Sequence, residues 1–334
     1  MLAALALVVA GLAQGAEGQP KVEPNDWWRA YEAAPFVKTP EGRKLRVHCL
    51  GKGSPTVILE SGLGDGAWSW RTTQPEIAKM TRVCGYDRAG LGLSQPAQGP
   101  RDVEAMSADL GVVVKAVSRG KPVVLVAHSL GGPIVRQYAY HHPDMVAGLV
   151  LVDPSADHQN ERFRAILPDF DKMNRINYAP LQRCKALLEK GPIAEGAPEY
   201  KMCINKPPPD MPADLTHFHY AYNQSPIHYG EVMAELESAT GDANAKEADA
   251  ARHALGDKPL LVLTAGAPAR LPGSTADQQK RFEQAWYEMH NEIAALSTRG
   301  RQRVVPGASH YIQGDKPEAV IAAVAEVLTE VRGR

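Results

Sequence analysis

The sequence predicts an α/β protein: a mostly parallel sheet flanked by helices, with a long helical insertion late in the chain. Three observations carry this. Short apolar, β-branched runs recur along the chain and alternate with stretches of helical spacing. Two of the runs, 122–127 (PVVLVA) and 146–152 (VAGLVLV), are nearly continuous in apolar residues, as strands covered on both faces must be. Residues 155–257 contain no comparable run but are rich in helix formers, prolines and tyrosines, which suits helices laid over the ends of a sheet.

The elements follow in order. Residues 1–16 (MLAALALVVAGLAQGA) form an apolar run ending in small residues, too short to span a bilayer but suited to a secretory signal. Small residues around Ala13 and Gly15 offer cleavage sites, although no Lys or Arg precedes Lys21. The expectation is a secreted or periplasmic protein without stable membrane insertion. Lys44–Leu50 reads as a strand, and Gly51-Lys52-Gly53 then turns into 55–60, which suggests an antiparallel hairpin. A helical segment around 75–80 leads to a strand at 81–86, and 102–118 has helical spacing in Met106, Leu110, Val113, Val114 and Val117. After the strand 122–127, a helix at 129–142 stops at Pro143. The strand 146–152 precedes the insertion, and 259–264 (PLLVLT) and 303–305 complete the sheet. An amphipathic helix at 318–331 closes the chain. The division expected is a signal at 1–16, a core at 17–154 and 258–334, and a helical cap at 155–257.

Composition narrows the function. Across 334 residues, hydrophobic residues at 44% and charged residues at 22% are those of a globular protein, which excludes disordered and multi-spanning classes. Lys and Arg number 37 against 38 Asp and Glu, and no basic stripe stands out, so a nucleic-acid partner is not expected. Four cysteines do not make a disulfide scaffold. Cys184 and Cys203 lie close enough in sequence to staple the insertion, while Cys49 and Cys84 each fall in a strand; export permits pairing, and buried thiols are the equal alternative.

Chemistry enters at 123–132 (VVLVAHSLGG), where a small-x-Ser-x-Gly element follows a buried strand and opens a helix. Such a turn is so sharp that Ser129 must expose its hydroxyl at the sheet edge, and its neighbours Ala127 and Gly131 must be small. The helix behind it points its N-terminal N–H groups at the reacting atom. On these residues the chain resembles the alpha/beta-hydrolase superfamily, in its capped serine esterase-like branch, from about residue 44 onward. The resemblance implies an alpha/beta-hydrolase fold with a helical cap inserted after the sixth strand. It departs in having Ala127 where Gly is more frequent, which keeps the position small.

The resemblance also implies an acid and then a histidine after the serine. His310, in Gly307-Ala308-Ser309-His310-Tyr311, follows the last strand where the superfamily places its base. For the acid, 265–274 (AGAPARLPGS) offers no carboxylate after PLLVLT, so Asp153 at the end of VAGLVLV is the first candidate and Asp277 the second. The oxyanion donors expected are the backbone N–H of Leu130 and, from Ser61-Gly62-Leu63-Gly64, that of Leu63. Residues 86–94 (YDRAGLGLS) resemble a superfamily turn in which Asp87 and Arg88 brace the loop. Trp68 and Trp70 either line the pocket or pack beneath it. The function implied is hydrolysis of a small-molecule carboxylic ester through an acyl-enzyme, with an amide or peptide bond as the alternative and no cofactor. Serine in place of aspartate at the elbow argues against haloalkane dehalogenase or epoxide hydrolase chemistry. Nothing in the sequence fixes the oligomeric state.

Two competing patterns remain. Residues 62–67 (GLGDGA), with Asp87 further on, fit a dinucleotide site and hence an oxidoreductase, a reading that leaves the serine elbow unexplained. His217, His219 and His228 could be taken for metal ligands, but no Cys or acid stands at matching spacing.

Overall fold

The computed structural model describes residues 26–240, 255–268, 270–271 and 273–333; the expected signal at 1–16 lies outside them. The first half of the chain comprises α1 (Asp26–Glu32), β1 (Phe36–Lys38), β2 (Lys44–Leu50), β3 (Val57–Glu60), α2 (Gln74–Ala78), β4 (Val83–Tyr86), α3 (Val103–Val117), β5 (Val123–His128), α4 (Gly131–His141) and β6 (Val146–Val152). Among the described residues, five α-helices follow before the sheet resumes: α5 (Gln159–Ile166), α6 (Phe170–Leu188), α7 (Tyr200–Cys203), α8 (Thr216–Asn223) and α9 (Pro226–Thr240). The chain then runs through β7 (Leu260–Ala265), α10 (Ala276–Ala294), β8 (Gly300–Val305), α11 (Ile312–Asp315) and α12 (Pro317–Arg332).

The described strands form one eight-stranded sheet in the order β1-β2-β4-β3-β5-β6-β7-β8. From β4 to β8 the pairing is parallel, with Ile58 beside Leu125, Leu125 beside Leu149 and Leu149 beside Leu260. Alternate side chains leave opposite faces of a strand. Ile58, Leu125, Leu149 and Val262 therefore pack with α3 and α4 on one side. Leu59, Val126, Val150 and Leu263 meet Val320, Val324, Val327 and Leu328 of α12 on the other. Both faces are covered, which is why these strands read as unbroken apolar runs. Helix starts obey local chemistry: Asp102 accepts the Ala105 N–H at 2.8 Å ahead of α3, and Thr275 and Gln278 form a capping box ahead of α10.

The hairpin expectation needs correction. β2 is antiparallel, but its partner is β4, with Val47 opposite Tyr86 and Cys49 opposite Cys84. Both edges of β3 are hydrogen-bonded to parallel neighbours, so the turn at 51–53 carries the chain past β4 instead of folding it back.

The cysteines are paired. Cys49–Cys84 crosses from β2 to β4, and Cys184–Cys203 ties α6 to α7. Among the described residues, no helix is long and apolar enough to cross a membrane.

Candidate active site

The site begins at the junction of β5 and α4. Ser129 has φ 50°, in the left-handed region that costs a residue with a Cβ of order 1–2 kcal/mol. The surroundings hold it there. Its N–H donates to the Val152 carbonyl at 3.2 Å, and its own carbonyl accepts from Gly132 and Ser155, both at 2.9 Å. The small residues on either side are needed: a Cβ on Gly131 would stand 2.8 Å from the Glu60 carbonyl, and Ala127 is fully buried.

Asp153, directly after β6, also has a positive φ, 43°. Its Oδ2 accepts from His310 Nδ1 at 2.6 Å. Its Oδ1 accepts the Ala265 N–H at 2.8 Å and the Trp286 indole N–H at 3.0 Å. Burial alone would raise this carboxyl; the hydrogen bond and charge of His310, helped by His290 and Ala265, outweigh it and hold Asp153 below the ordinary range. An ionised carboxylate can only accept, so His310 Nδ1 donates the hydrogen in this bond. Asp277, the other candidate, is exposed in the first turn of α10. The structure brings Asp153, and not Asp277, to His310.

Two supporting residues were not legible. Trp286 lies mid-helix in α10, where an indole reads as ordinary core. His128 precedes the serine, and its Nε2 lies 2.9 Å from the His310 carbonyl. A carbonyl cannot donate, so His128 Nε2 carries hydrogen. Burial, and next the neighbouring His310, push His128 down to about 3, so it is neutral and fixes the loop bearing His310.

Leu63 and Leu130 line the same cavity as Ser129, Asp153 and His310. Among the described residues, neither backbone N–H is engaged in a hydrogen bond. Beneath the loop 61–64 lies Arg88, 1% exposed, bound to Glu60 and Glu235. Trp70 packs below it and donates to Ser61 Oγ at 3.1 Å, and Trp68 meets Tyr222 edge-on. Neither tryptophan lines the cavity, whose volume is about 150 Å³. Its walls are largely apolar and come from both parts of the chain: Phe163, Phe170 and Leu236 from the insertion, Leu271, Phe282 and Trp286 from the segment after β7.

The competing patterns resolve into local structure. The Asp87 carboxylate is fully buried and accepts from Tyr31 Oη at 2.6 Å, Ala67 N at 2.8 Å and Leu93 N at 3.0 Å, bracing the turn. His217 and His219 bond the carbonyls of Asp214 and Asn205 at 2.8 and 2.9 Å, and His228 packs against Tyr222 with the two rings tilted by 48°. Among the described residues, no three metal-ligating side chains converge.

Comparison with known proteins agrees with this architecture. The sequence model of the alpha/beta hydrolase fold family matches residues 55–185. An uncharacterised Bacillus subtilis protein, YqjL, is 23% identical over 84% of this chain and 86% of its own length. The 2-hydroxy-6-oxo-2,4-heptadienoate hydrolase of Pseudomonas putida is 35% identical over 33% of this chain, a match that spans 41% of that enzyme. Among solved structures, a thermophilic esterase from Thermogutta terrifontis superposes with a TM-score of 0.56 at 21% identity, over 89% of this chain and 98% of that one. The strand order, the serine turn and these likenesses define the class: the chain has the alpha/beta-hydrolase fold, and its residues 55–185 match that family's sequence model.

Proposed function

We propose that the protein is a serine hydrolase acting on carboxylic esters with an uncharged, apolar acyl group. The observation that carries this is the 2.6 Å bond from His310 to Asp153 beside a strained Ser129 in one cavity with the Leu63 and Leu130 amides. Ser129 Oγ attacks the ester carbonyl while His310 Nε2 takes its proton, and Asp153 stabilises the resulting imidazolium. The carbonyl electrons move onto oxygen, where the two amides meet the developing charge. Collapse of that intermediate breaks the bond to the alcohol oxygen, which leaves with the proton from His310. Water then repeats the sequence on the acyl-serine and releases the acid. Phe163, Phe170 and Leu236 supply apolar contact for the acyl chain. Helices α5–α9 serve as the cap, and two disulfides fit an exported protein.

The test is a fluorophosphonate, which is expected to label Ser129 and no other residue. Ser129→Ala should cut kcat on p-nitrophenyl butyrate by about 10⁴–10⁶-fold, as loss of a triad nucleophile does elsewhere. Retained turnover would refute the assignment. Matching aminoacyl amides, run beside the esters, decide between the two leaving groups.

A further inference from the structure

We infer that Arg88 and Glu235 are positioning residues that set the oxyanion hole, so that the hole is complete only while α9 is docked on the core. This rests on the serine-hydrolase reading above. The argument is one of peptide planes. In a trans peptide the C=O and the following N–H point in opposite directions. The Gly62 carbonyl is held by Arg88 Nη2 at 2.6 Å, so the Leu63 N–H in the same plane is turned away from Arg88. The Ser61 carbonyl is held by Arg88 Nη1 at 2.6 Å, which fixes the plane before it. In the plane after it, the Gly64 N–H donates to Glu235 Oε2 at 2.9 Å. Three successive peptide units of the loop are thus pinned by one guanidinium and one carboxylate.

The two side chains also fix each other. Arg88 Nε and Nη2 bind Glu235 Oε1 and Oε2 at 2.6 and 2.7 Å, while Nη1 binds Glu60 Oε1 at 2.8 Å. The Arg88 and Glu235 side chains are at most 1% exposed, so no water competes for these bonds. Neither residue lines the cavity, so neither touches substrate. Yet Leu236, the next residue on α9, does line it. Val232, one turn earlier, packs so closely that a Cβ on Gly64 would stand 3.2 Å from it. The helix that shapes the acyl site therefore also holds the amide that meets the oxyanion. A bidentate fork is what the geometry uses, and lysine cannot supply one.

The test compares wild type with Glu235→Gln and Arg88→Lys. The readouts are kcat and KM on p-nitrophenyl butyrate, affinity for a trifluoromethyl ketone that forms an anionic adduct on Ser129, and active sites counted by exhaustive fluorophosphonate labelling. Both variants are expected to lose between about 10- and 100-fold in kcat per labelled site, with KM little changed and the ketone weakened by a comparable factor. A merely structural role would lower the number of labelled sites but leave kcat per site and ketone affinity unchanged; that result overturns the inference. If Glu235→Gln does not fold, Arg88→Lys, which keeps the buried charge, carries the same comparison. Failure of wild type to label at Ser129 would instead sink the serine-hydrolase reading itself.

Discussion

The two sides of the loop 61–64 are built from opposite materials. On the side facing Ser129 lies a cavity whose walls are largely aliphatic and aromatic, with Asp153 and His310 its ionisable lining residues. On the far side, Arg88, Glu60 and Glu235 form a cluster of full charges sealed from solvent. On the serine-hydrolase reading proposed above, the difference shows that an oxyanion can be met without a cation beside it. Charges behind the loop orient backbone dipoles, and the dipoles meet the developing negative charge. A buried ion cluster is a weak source of stability, since well-packed apolar replacements often serve as well. Its specific value, on the inference drawn above, is orientation.

The largest expected effect tests the reacting side. Asp153→Asn should lower kcat by about 10⁴-fold, as loss of the orienting carboxylate does in other triads, while Asp277→Asn leaves it unchanged. The opposite result, read from steady-state rates on one ester, would move the acid to α10. A smaller effect probes the apolar wall. Met173, from α6, lines the cavity, and Met173→Trp narrows it. The ratio of kcat/KM for p-nitrophenyl octanoate over butyrate should then fall about tenfold, the scale at which an apolar pocket discriminates chain length. An unchanged ratio would place the acyl chain elsewhere.

The smallest effect concerns a residue between the two sides. Asp65 is 3% exposed, and burial pushes its carboxyl from 3.8 to about 7, against the pull of Arg88 and His310. The folded protein thus holds a proton there that the unfolded chain has released. The stability Asp65 contributes is full below 3.8 and is lost as pH rises toward about 7. Asp65→Asn should flatten this slope, so the variant gains melting temperature relative to wild type between pH 5 and pH 8. Parallel melting curves would show that Asp65 is ionised in the folded state.

Much of this was legible in the sequence, and the limit has a physical form. Strands covered on both faces announce themselves as apolar runs, and a turn that tolerates only small neighbours leaves its mark at Ala127, Ser129 and Gly131. His310 and Asp153 are placed by the strands they follow. What could not be read are contacts whose partners are remote in sequence and carry no periodicity. Arg88 and Glu235 are 147 residues apart, and the Trp286 indole reaches Asp153 across 133. The partner of β2 was misread for the same reason. A short glycine turn suggests the nearest strand, but strand order is decided by which edges remain open. The aromatic face of α1 was also missed, although Trp27 and Tyr31 reach Gln74 and Asp87 beneath the turn 86–94.

The two disulfides act where the chain is not folded. Cys49–Cys84 and Cys184–Cys203 close loops with sequence separations of 35 and 19. On the chain-entropy account, loops of that size remove enough freedom from the unfolded ensemble to be worth about 3–4 kcal/mol each. One cross-link restrains the antiparallel margin of the sheet and the other the helical insertion. Together they span the two parts of the chain that lie outside the parallel, doubly covered centre. How much heat or denaturant this protein withstands is therefore set partly by the oxidant available while it folds.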